Sequence, residues 1–589
     1  MDPRKLSSSL VLFVLVSSLS GAGSIAQTAV RVCPSMSPNP AYMTSLGGKA
    51  LIFYGWNETT GGEPYIWTRA GGCQLLGDFF PGPSGSEAQQ FGTAADRAFF
   101  PLTLPAKGRQ LGIYDGKTVS VFDINKNGAG LPAQFTACDN LMFFTAYSSL
   151  NDIELWVAEP RGSIFRLADI YPGPFGSFPE NLTCFKGRLY FNAVDPVVGR
   201  ELWVSDGTAA GTRLVKDIRN PGDSRPHSLA PCTTAAGKEL LFMSANTDLG
   251  YELFVFDGLD VTLVKDIRPG ASASNPQHTV SCNGRVFFFA DDGQNGVEPW
   301  VSDGTAAGTT LLRDINPGTA GSTGGPIVCC GDKVFFRATD GIAGVELWCS
   351  DGTGSGTVMV KDIRPGAGNS LPNWLTAVGN LLYFTADDGT YGTELWVSDG
   401  TLAGTRLVSD INPGASSSSP FSLAVCDGEL FMSANHDTYG RELWKIVSPG
   451  SMVEAIGQGC GGIRLEATPA SIGNTFVLTG ACAPTGTINP TPPHDGYLGV
   501  TYLMLSSQPG FLFHDPALLS NRCWSWSFLL TGTLLVDAVT LTERWSRGPM
   551  SIPNVPSLKG AQLHYQTMYL DLKTILPLRT SNVVQLTIG

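Results

Sequence analysis

The octapeptide ELWVSDGT returns down this chain at an almost fixed interval. It stands whole at 201–208 and 394–401, as EPWVSDGT from Glu298 and as ELWCSDGT from Glu346. Weaker copies read IELWVAEP at 153–160, YELFVFDG at 251–258 and RELWKIV at 441–447. The leading glutamates, Glu154, Glu201, Glu252, Glu298, Glu346, Glu394 and Glu442, are 47, 51, 46, 48, 48 and 48 residues apart. A period of this size means that one supersecondary unit is built many times over. Such a chain has few ways to bury its apolar residues, and all of them stack each unit on its neighbours.

The cleanest unit spans residues 375–414. LTAV at 375–378 reads as a first strand ending in the Gly379-Asn380 turn, and LLYFT at 381–385 as a second. Asp387-Asp388-Gly389 with Gly392 reads as a hairpin loop, ELWVS at 394–398 as a third strand and Asp399-Gly400 as the next turn. RLVSDI at 406–411 is the fourth strand, and Asn412-Pro413-Gly414 breaks the pattern. Glycine supplies positive φ and proline fixes its own, which is why these pairs mark turns. Four short strands with turns consume roughly 45 residues, the size of a propeller blade. Helical spacing is absent. Runs such as VFFFA at 286–290 are apolar on both faces, as a sheet covered on both sides requires.

Counting units gives nine. Six are clear, and a seventh ends the array at Glu442 with residues 452–456 as its expected fourth strand. Two degenerate units precede them, one over 42–82 with Glu63 and Trp67, the other over 91–130 with Tyr114-Asp115-Gly116 and Asp123-Ile124. Eight blades with one irregular unit is the alternative. The period stops after Gly457. GQGCGG at 457–462 then leads to short strand-like runs separated by Pro and Gly. The expectation is therefore an all-β chain: a multi-bladed β-propeller of eight or nine four-stranded units over 42–456, then a C-terminal β-sandwich over 460–589.

The first 26 residues read as a secretory signal peptide: Arg4 and Lys5, then LVLFVLV at 10–16, then Ser24-Ile25-Ala26 as a cleavage site. The apolar run is shorter than the ~20 residues a membrane span needs, and no other stretch qualifies. A secreted, periplasmic or cell-surface protein beginning near Gln27 is expected. No cysteine sits at the cleavage site to take a lipid anchor. Net charge is −13 with no basic cluster, which excludes the electrostatic footprint of a nucleic-acid binder. Export puts the 13 cysteines in an oxidising compartment. The odd count leaves at least one unpaired within the chain, and no C-x-x-C pair suggests zinc.

The text ELWVSDGTAAGT followed by LVKDIRPG-like segments resembles the ELWxxDGT-repeat proteins, a group of exported bacterial proteins. The resemblance covers about residues 42–456; it implies a β-propeller-like array and carries no catalytic residues. GQGCGG, IPNVPSLKGAQLHYQ at 552–566 and SNVVQLTIG at 581–589 resemble a C-terminal module of planctomycete exported proteins. That similarity implies an accessory or surface-associated role.

Four sets of residues are candidate sites. The repeated Glu394, Trp396, Asp399 and Asp410 read either as a ligand site per blade or as architecture. In the second reading Leu395 and Trp396 fill opposite faces, Asp399 caps its turn, and Glu394 and Asp410 pair with Arg, Lys or backbone N–H. Recurrence favours architecture. The loops Asp291-Asp292-Gly293 and Asp387-Asp388-Gly389 hold clustered carboxylates but lack a full calcium-ligand pattern, so hairpin turns are the preferred reading. Cys138, Cys184, Cys232, Cys282, Cys330 and Cys426 share one place in successive units. They read as a ring at the channel in which neighbours reach bonding distance, or as small buried residues where another unit has Val378. Cys482 and Cys523 are a candidate bridge in the last domain. The histidines His227, His278, His436, His494, His514 and His564 do not recur in register. His227 and His278 lie in comparable segments between units. No catalytic, cofactor-binding or metal-ligating residue is assigned and no cofactor is implied.

Taken together these features favour a non-enzymatic exported propeller that displays loops to extracellular protein or carbohydrate. The alternatives are a polysaccharide-acting hydrolase or lyase at the channel mouth, and a structural envelope or adhesion component. An enzyme requires non-repeating His, Asp, Glu, Arg or Tyr to converge on one face.

Overall fold

The structure, a computed structural model, describes residues 27–447 apart from 34–38, 150, 160–161 and 323, together with five short strands outside that span. Each repeat folds as an antiparallel four-stranded sheet, and the unit Gln27–Ile446 contains nine of them. Blades one to nine begin with the first strands Ala41–Leu46, Gly92–Ala94, Ala133–Cys138, Glu180–Phe185, His227–Thr233, Gln277–Cys282, Val328–Cys330, Asn373–Val378 and Phe421–Cys426. Each first strand neighbours that of the next blade, and those of blades nine and one also meet. The array is thus a closed nine-bladed propeller with its first strands innermost. Among the described residues there is no helix, and so none long and apolar enough to cross a membrane.

The last blade corrects the expectation that 452–456 completes it. Its first three strands are Phe421–Cys426, Glu429–His436 and Gly440–Val447, and its outer strand is Thr28–Arg31. Residues 452–456 lie outside the described residues. The reason is topological: a ring whose end blades merely abut can peel apart at that seam. A last sheet built from both ends of the array must be broken before the ring opens. Val32 N–H donates to the Leu443 carbonyl at 2.9 Å, and Arg31 pairs with Glu442 at 3.2 Å. Cys33, just past this closing strand, forms a disulfide with Cys73 on the outer strand of blade one, Gly72–Leu75.

Two further disulfides, Cys138–Cys184 and Cys282–Cys329, tie the first strands of blades three and four and of blades six and seven. The three bridges therefore cross seams three blades apart. Part of the cysteine ring is bonded and part is not: Cys232, Cys330 and Cys426 are buried thiols, as is Cys349. Cys282 bonds Cys329 rather than Cys330 because successive residues of a strand face opposite ways. Cys329 meets the core shared with blade six, and Cys330 that shared with blade eight. These disulfides fit an oxidising compartment.

Both faces of every blade are buried. Val286, Phe288 and Ala290 join the core shared with blade five, while Phe287 and Phe289 join that shared with blade seven. Leu395 and Trp396 divide in the same way between the cores with blades nine and seven. A fully buried Phe or Leu contributes about 2–3 kcal/mol, so inter-blade packing is the principal cohesion of the ring. A cationic latch adds to it. Lys265, Arg313 and Lys361 each reach into the next blade, donating to the carbonyls of Thr309, Thr357 and Thr405 at 2.8, 2.9 and 3.0 Å. There they lie over Trp300, Trp348 and Trp396 at 5.6, 5.7 and 5.5 Å. Blade eight has Ser409 at this position. Across its seam with blade nine, Gln27 donates to the Tyr383 hydroxyl instead.

The other unit, Met1–Ala26 with Val447–Gly589, shows five strands in one sheet. Their spatial order is Arg464–Pro469, Thr475–Ala481, Val11–Leu15, Phe528–Thr531 and Val584–Thr587. The expected sandwich, the Cys482–Cys523 bridge and His494, His514 and His564 fall outside the described residues.

Candidate functional site

The repeated glutamate is a structural clamp. Glu394 is fully buried and accepts from the backbone N–H of Ile411 at 3.2 Å and of Ser418 at 2.6 Å, while the Ser418 hydroxyl donates at 2.5 Å. Ser418 lies in the crossover to blade nine, so the carboxyl ties that crossover to the third strand of blade eight. Glu63 with Ser86, Glu154 with Ser177, Glu201 with Ser224, Glu252 with Ser274 and Glu346 with Ser370 repeat the pattern. In blade two Gln110 takes the place, accepting from Ile124 N–H at 3.0 Å. Among the described residues no Lys or Arg partners Glu394; backbone and serine do. Burial pushes Glu298 and Glu394 up to about 7 from an ordinary 4.5, against the pull of these donors.

The other repeated acids are turn-formers too. Asp399 Oδ1 accepts the N–H and hydroxyl of Thr401 at 2.9 and 2.7 Å, which holds its carboxyl below the usual range. Asp206, Asp303 and Asp351 accept the same pair of bonds from Thr208, Thr305 and Thr353. Gly404 is required beside it, since a Cβ there would meet the Asp399 carboxylate at 2.1 Å. Asp410 accepts Gly414 N–H at 3.0 Å. The acidic loops are Asx turns. Asp388 Oδ1 accepts the N–H groups of Thr390 and Tyr391, and Asp387 pairs with Arg364 at 2.6 Å. Asp292 and Asp291 repeat this, with Arg268. Asp152, Glu154 and Asp169 in blade three bring carboxylate oxygens within 4.8 Å of one another. The Arg166 guanidinium meets Asp152 at 3.1 Å and Asp169 at 3.3 Å and supplies the positive charge there.

Where the repeats diverge, the backbone does not. At the entry to the first strand, eight blades hold two non-glycine residues with positive φ, three positions apart. Examples are Leu131 and Gln134, Phe178 and Asn181, Arg225 and Ser228, Asn275 and His278, and Leu371 and Trp374, with φ between 43° and 58°. In seven of the eight the second of the pair lies at a register shift, as between Asn373 and Thr376. Bulky residues in this region cost about 1 kcal/mol or more, and glycine would occupy it freely. All first strands run the same way round the ring, so these positions share one rim. Tyr42, Leu131, Phe178, Leu371 and Trp374 are 39 to 55% exposed there. The rim is thus a repeated backbone device carrying unlike side chains.

On this rim a cleft of about 390 Å3 opens between blades four and five. Blade four contributes Glu180, Asn181, Asn192 and Arg200, and blade five contributes Arg225, His227 and Tyr251. Arg200 Nη1 is shared by the Phe178 carbonyl at 2.9 Å, Glu180 Oε2 at 3.2 Å and Asn192 Oδ1 at 2.6 Å. Arg225 donates through Nε and Nη2 to Asp223 Oδ2 at 3.1 and 3.0 Å. His227 stacks on Tyr251 with centroids 5.3 Å apart. Its Nδ1 is buried without a partner, and burial lowers its pKa, so the ring is neutral at pH 7. A smaller cleft of about 200 Å3 lies between blades two and three, lined in part by Asp96, Arg97 and Glu159.

His227 and His278 are not equivalent. His227 begins the first strand of blade five and lines the cleft, whereas His278 is the second residue of the blade-six strand, at positive φ. His436 accepts Thr438 N–H at 3.0 Å in a turn. Six of the seven cleft residues carry no motif, and only internal comparison singles them out. The residue before each repeat glutamate is Ile153, Arg200, Tyr251, Val297, Val345, Thr393 or Arg441. That position varies beside an invariant one.

No family model and no curated protein matches this sequence. Among solved structures, a mutant of puromycin hydrolase complexed with PGG is 13% identical with a TM-score of 0.35, over 68% of this chain and 59% of that one. A puromycin-hydrolyzing peptidase of Mycobacterium tuberculosis is 11% identical with a TM-score of 0.34, over 65% of this chain and 56% of that one. The β-propeller domain of the Trilobed protease from Pyrococcus furiosus is 10% identical with a TM-score of 0.32, over 63% of this chain and 97% of that one. The chain thus covers less than two thirds of either puromycin-hydrolysing protein. Likeness this distant says nothing of its chemistry.

Proposed function

We propose that this chain is an exported saccharide-binding propeller of the ELWxxDGT-repeat type, with its ligand seated between blades four and five. The observation that carries the reading is the composition of the cleft. All its lining side chains are polar or aromatic, and they depart from the repeat pattern. Planar carboxylate, amide and guanidinium groups match the paired hydroxyls of a sugar ring, and the Tyr251–His227 stack offers a flat neighbour. A peptide's apolar side chain would want an aliphatic-lined anchor pocket, and no aliphatic side chain lines this cleft. Blades clamped by buried glutamates hold both walls rigid, which limits the ordering cost of binding.

A second reading is favoured by the same convergence: an enzyme acting on the saccharide, with Glu180, His227 and Tyr251 as the reacting groups. Against it stand the ion pair that occupies Glu180 and the buried Nδ1 of His227. The test is a glycan array probed with the full mature chain, followed by calorimetry on the hits. Tyr251→Ala is expected to abolish binding without lowering Tm by more than a few degrees. Binding that survives Tyr251→Ala, or binding to proteins alone, would contradict the proposal. New reducing ends or unsaturated products would favour the enzyme.

A further inference from the structure

The cleft between blades four and five holds a formal charge pattern that a neutral sugar would not need. Two arginines line it, one from each wall, and each is held by one edge. Arg200 commits only Nη1 to protein, and its Nε and Nη2 have no hydrogen-bond acceptor among the described residues. Arg225 commits Nε and Nη2 to Asp223, leaving Nη1 without an acceptor among them. A guanidinium anchored on one side and open on the other is oriented in advance, so little freedom is lost when an oxyanion arrives.

Arg109 and Arg441 stand where blade four has Arg200 and likewise donate to a rim carbonyl, of Glu87 at 3.0 Å and of Ser419 at 3.2 Å, so what sets this seam apart is Arg225. Leu131, Phe178, Asn275, Leu371 and Ser419 stand where blade five has Arg225, all at positive φ. None is cationic. The conformation is shared by these blades, and what is particular to blade five is the charge it carries. Glu180 and Asp223 balance the two arginines in formal charge but leave guanidinium edges open. Glu180 is 55% exposed and meets Arg200 at 3.2 Å through one oxygen, and Asp223 occupies only one edge of Arg225. In a chain of net charge −13, open guanidinium edges converging from two blades are a local exception.

We infer that the cleft selects a carboxylate-bearing sugar, a uronate residue, with Arg225 and Arg200 on the carboxylate and Tyr251 against the ring. This rests on the saccharide reading above and names its ligand class. Charge-assisted and bidentate contacts are about twice as strong as neutral ones. Loss of one such contact is expected to weaken binding about tenfold or more.

The test uses the full mature chain and short oligosaccharides of galacturonate, glucuronate and mannuronate, each as the free acid and as its methyl ester. The ester keeps the ring and hydroxyls and removes the charge. At least one acid is expected to bind about tenfold or more tightly than its ester, with affinity falling as salt rises. Arg225→Gln should erase that difference by weakening the acid form alone. Arg225→Lys should restore only part of it. Equal affinity for acid and ester, or an Arg225→Gln variant that weakens both alike, would overturn the inference while leaving a saccharide site in place. Binding of neutral glycans but of no uronate would do the same. Failure of every glycan would overturn both readings.

Discussion

The buried clamp layer and the exposed rim lie a few residues apart in every blade, yet obey opposite rules. Glu201 and Glu394 stand in the same place, accept from the same kind of serine, and are equally inaccessible. Arg200 and Thr393, one position before them, share backbone geometry and nothing else. The difference teaches how to read a repeat array without relatives. Identity repeated across units reports what the ring needs to close. Variation over an unchanging and strained backbone reports what the ring presents.

The largest effect that can break this comparison is in the clamp. Glu394→Ala should cost about 3–5 kcal/mol by orphaning buried N–H groups and opening a void, read as a lower denaturant midpoint. It should leave saccharide affinity at the cleft unchanged, because blade eight is remote in the ring from blades four and five. A comparable effect is expected at the ring closure. Cys33→Ser with Cys73→Ser removes the bridge across the seam, at a cost of about 2–5 kcal/mol. Limited proteolysis should then cut first near residues 27–33. Cutting first between blades four and five would contradict the closing role of Thr28–Arg31.

A subtler test of the clamp is its proton. Glu298 and Glu394 titrate near 7 in the folded chain against about 4.5 unfolded. The folded state therefore holds protons that the unfolded state has lost between those values. The stabilisation is complete below about pH 4.5 and is lost as pH rises through 7. Thermal scans should show Tm falling from pH 5.5 to 8, with a shallower fall in Glu394→Gln. Identical slopes would mean that the carboxyl is ionised throughout.

Smaller effects lie in the latch and on the rim. Ser409→Lys should install the missing cation beside Trp444 and stabilise the seam between blades eight and nine by about 0.5–1 kcal/mol. Lys361→Ala should remove a similar amount. Trp374→Gly is the smallest: it relieves a positive φ of 52° and gives up one ring contact, to Phe421 at 6.1 Å, so the two effects oppose and stability should change by less than about 1 kcal/mol. A large loss there would make the rim part of the framework.

Much of the propeller was legible in the text. Alternating turn dipeptides and apolar runs located the strands; the glutamate spacing gave seven units and weaker markers around Glu63 and Tyr114 two more, with eight blades left as the alternative to the nine observed. The architectural reading of Asp399 and Trp396 agrees with their contacts. The outer strand of blade nine was not legible. Thr28–Arg31 is four residues long and lies more than 400 residues from the strand it pairs with, Gly440–Val447, and no local signal carries that pairing. Disulfide partners were not legible either, because Cys329 and Cys330 differ only in the face they present. The cleft escaped motif reading since Glu180, Arg200, Arg225 and Tyr251 come from separate strands and loops that only the ring brings together. Their signal lay in where the repeats disagree.

The most direct test of a uniform frame carrying a specialised rim is hydrogen–deuterium exchange on the full chain, with and without a bound oligouronate. Slowed exchange should be confined to the crossovers around residues 178–181 and 223–228 and to the third-strand start at 251. The Asp-Gly-Thr turns at 206–208, 303–305, 351–353 and 399–401 should be unaffected. Protection centred on those turns, or spread evenly over all nine blades, would contradict the account.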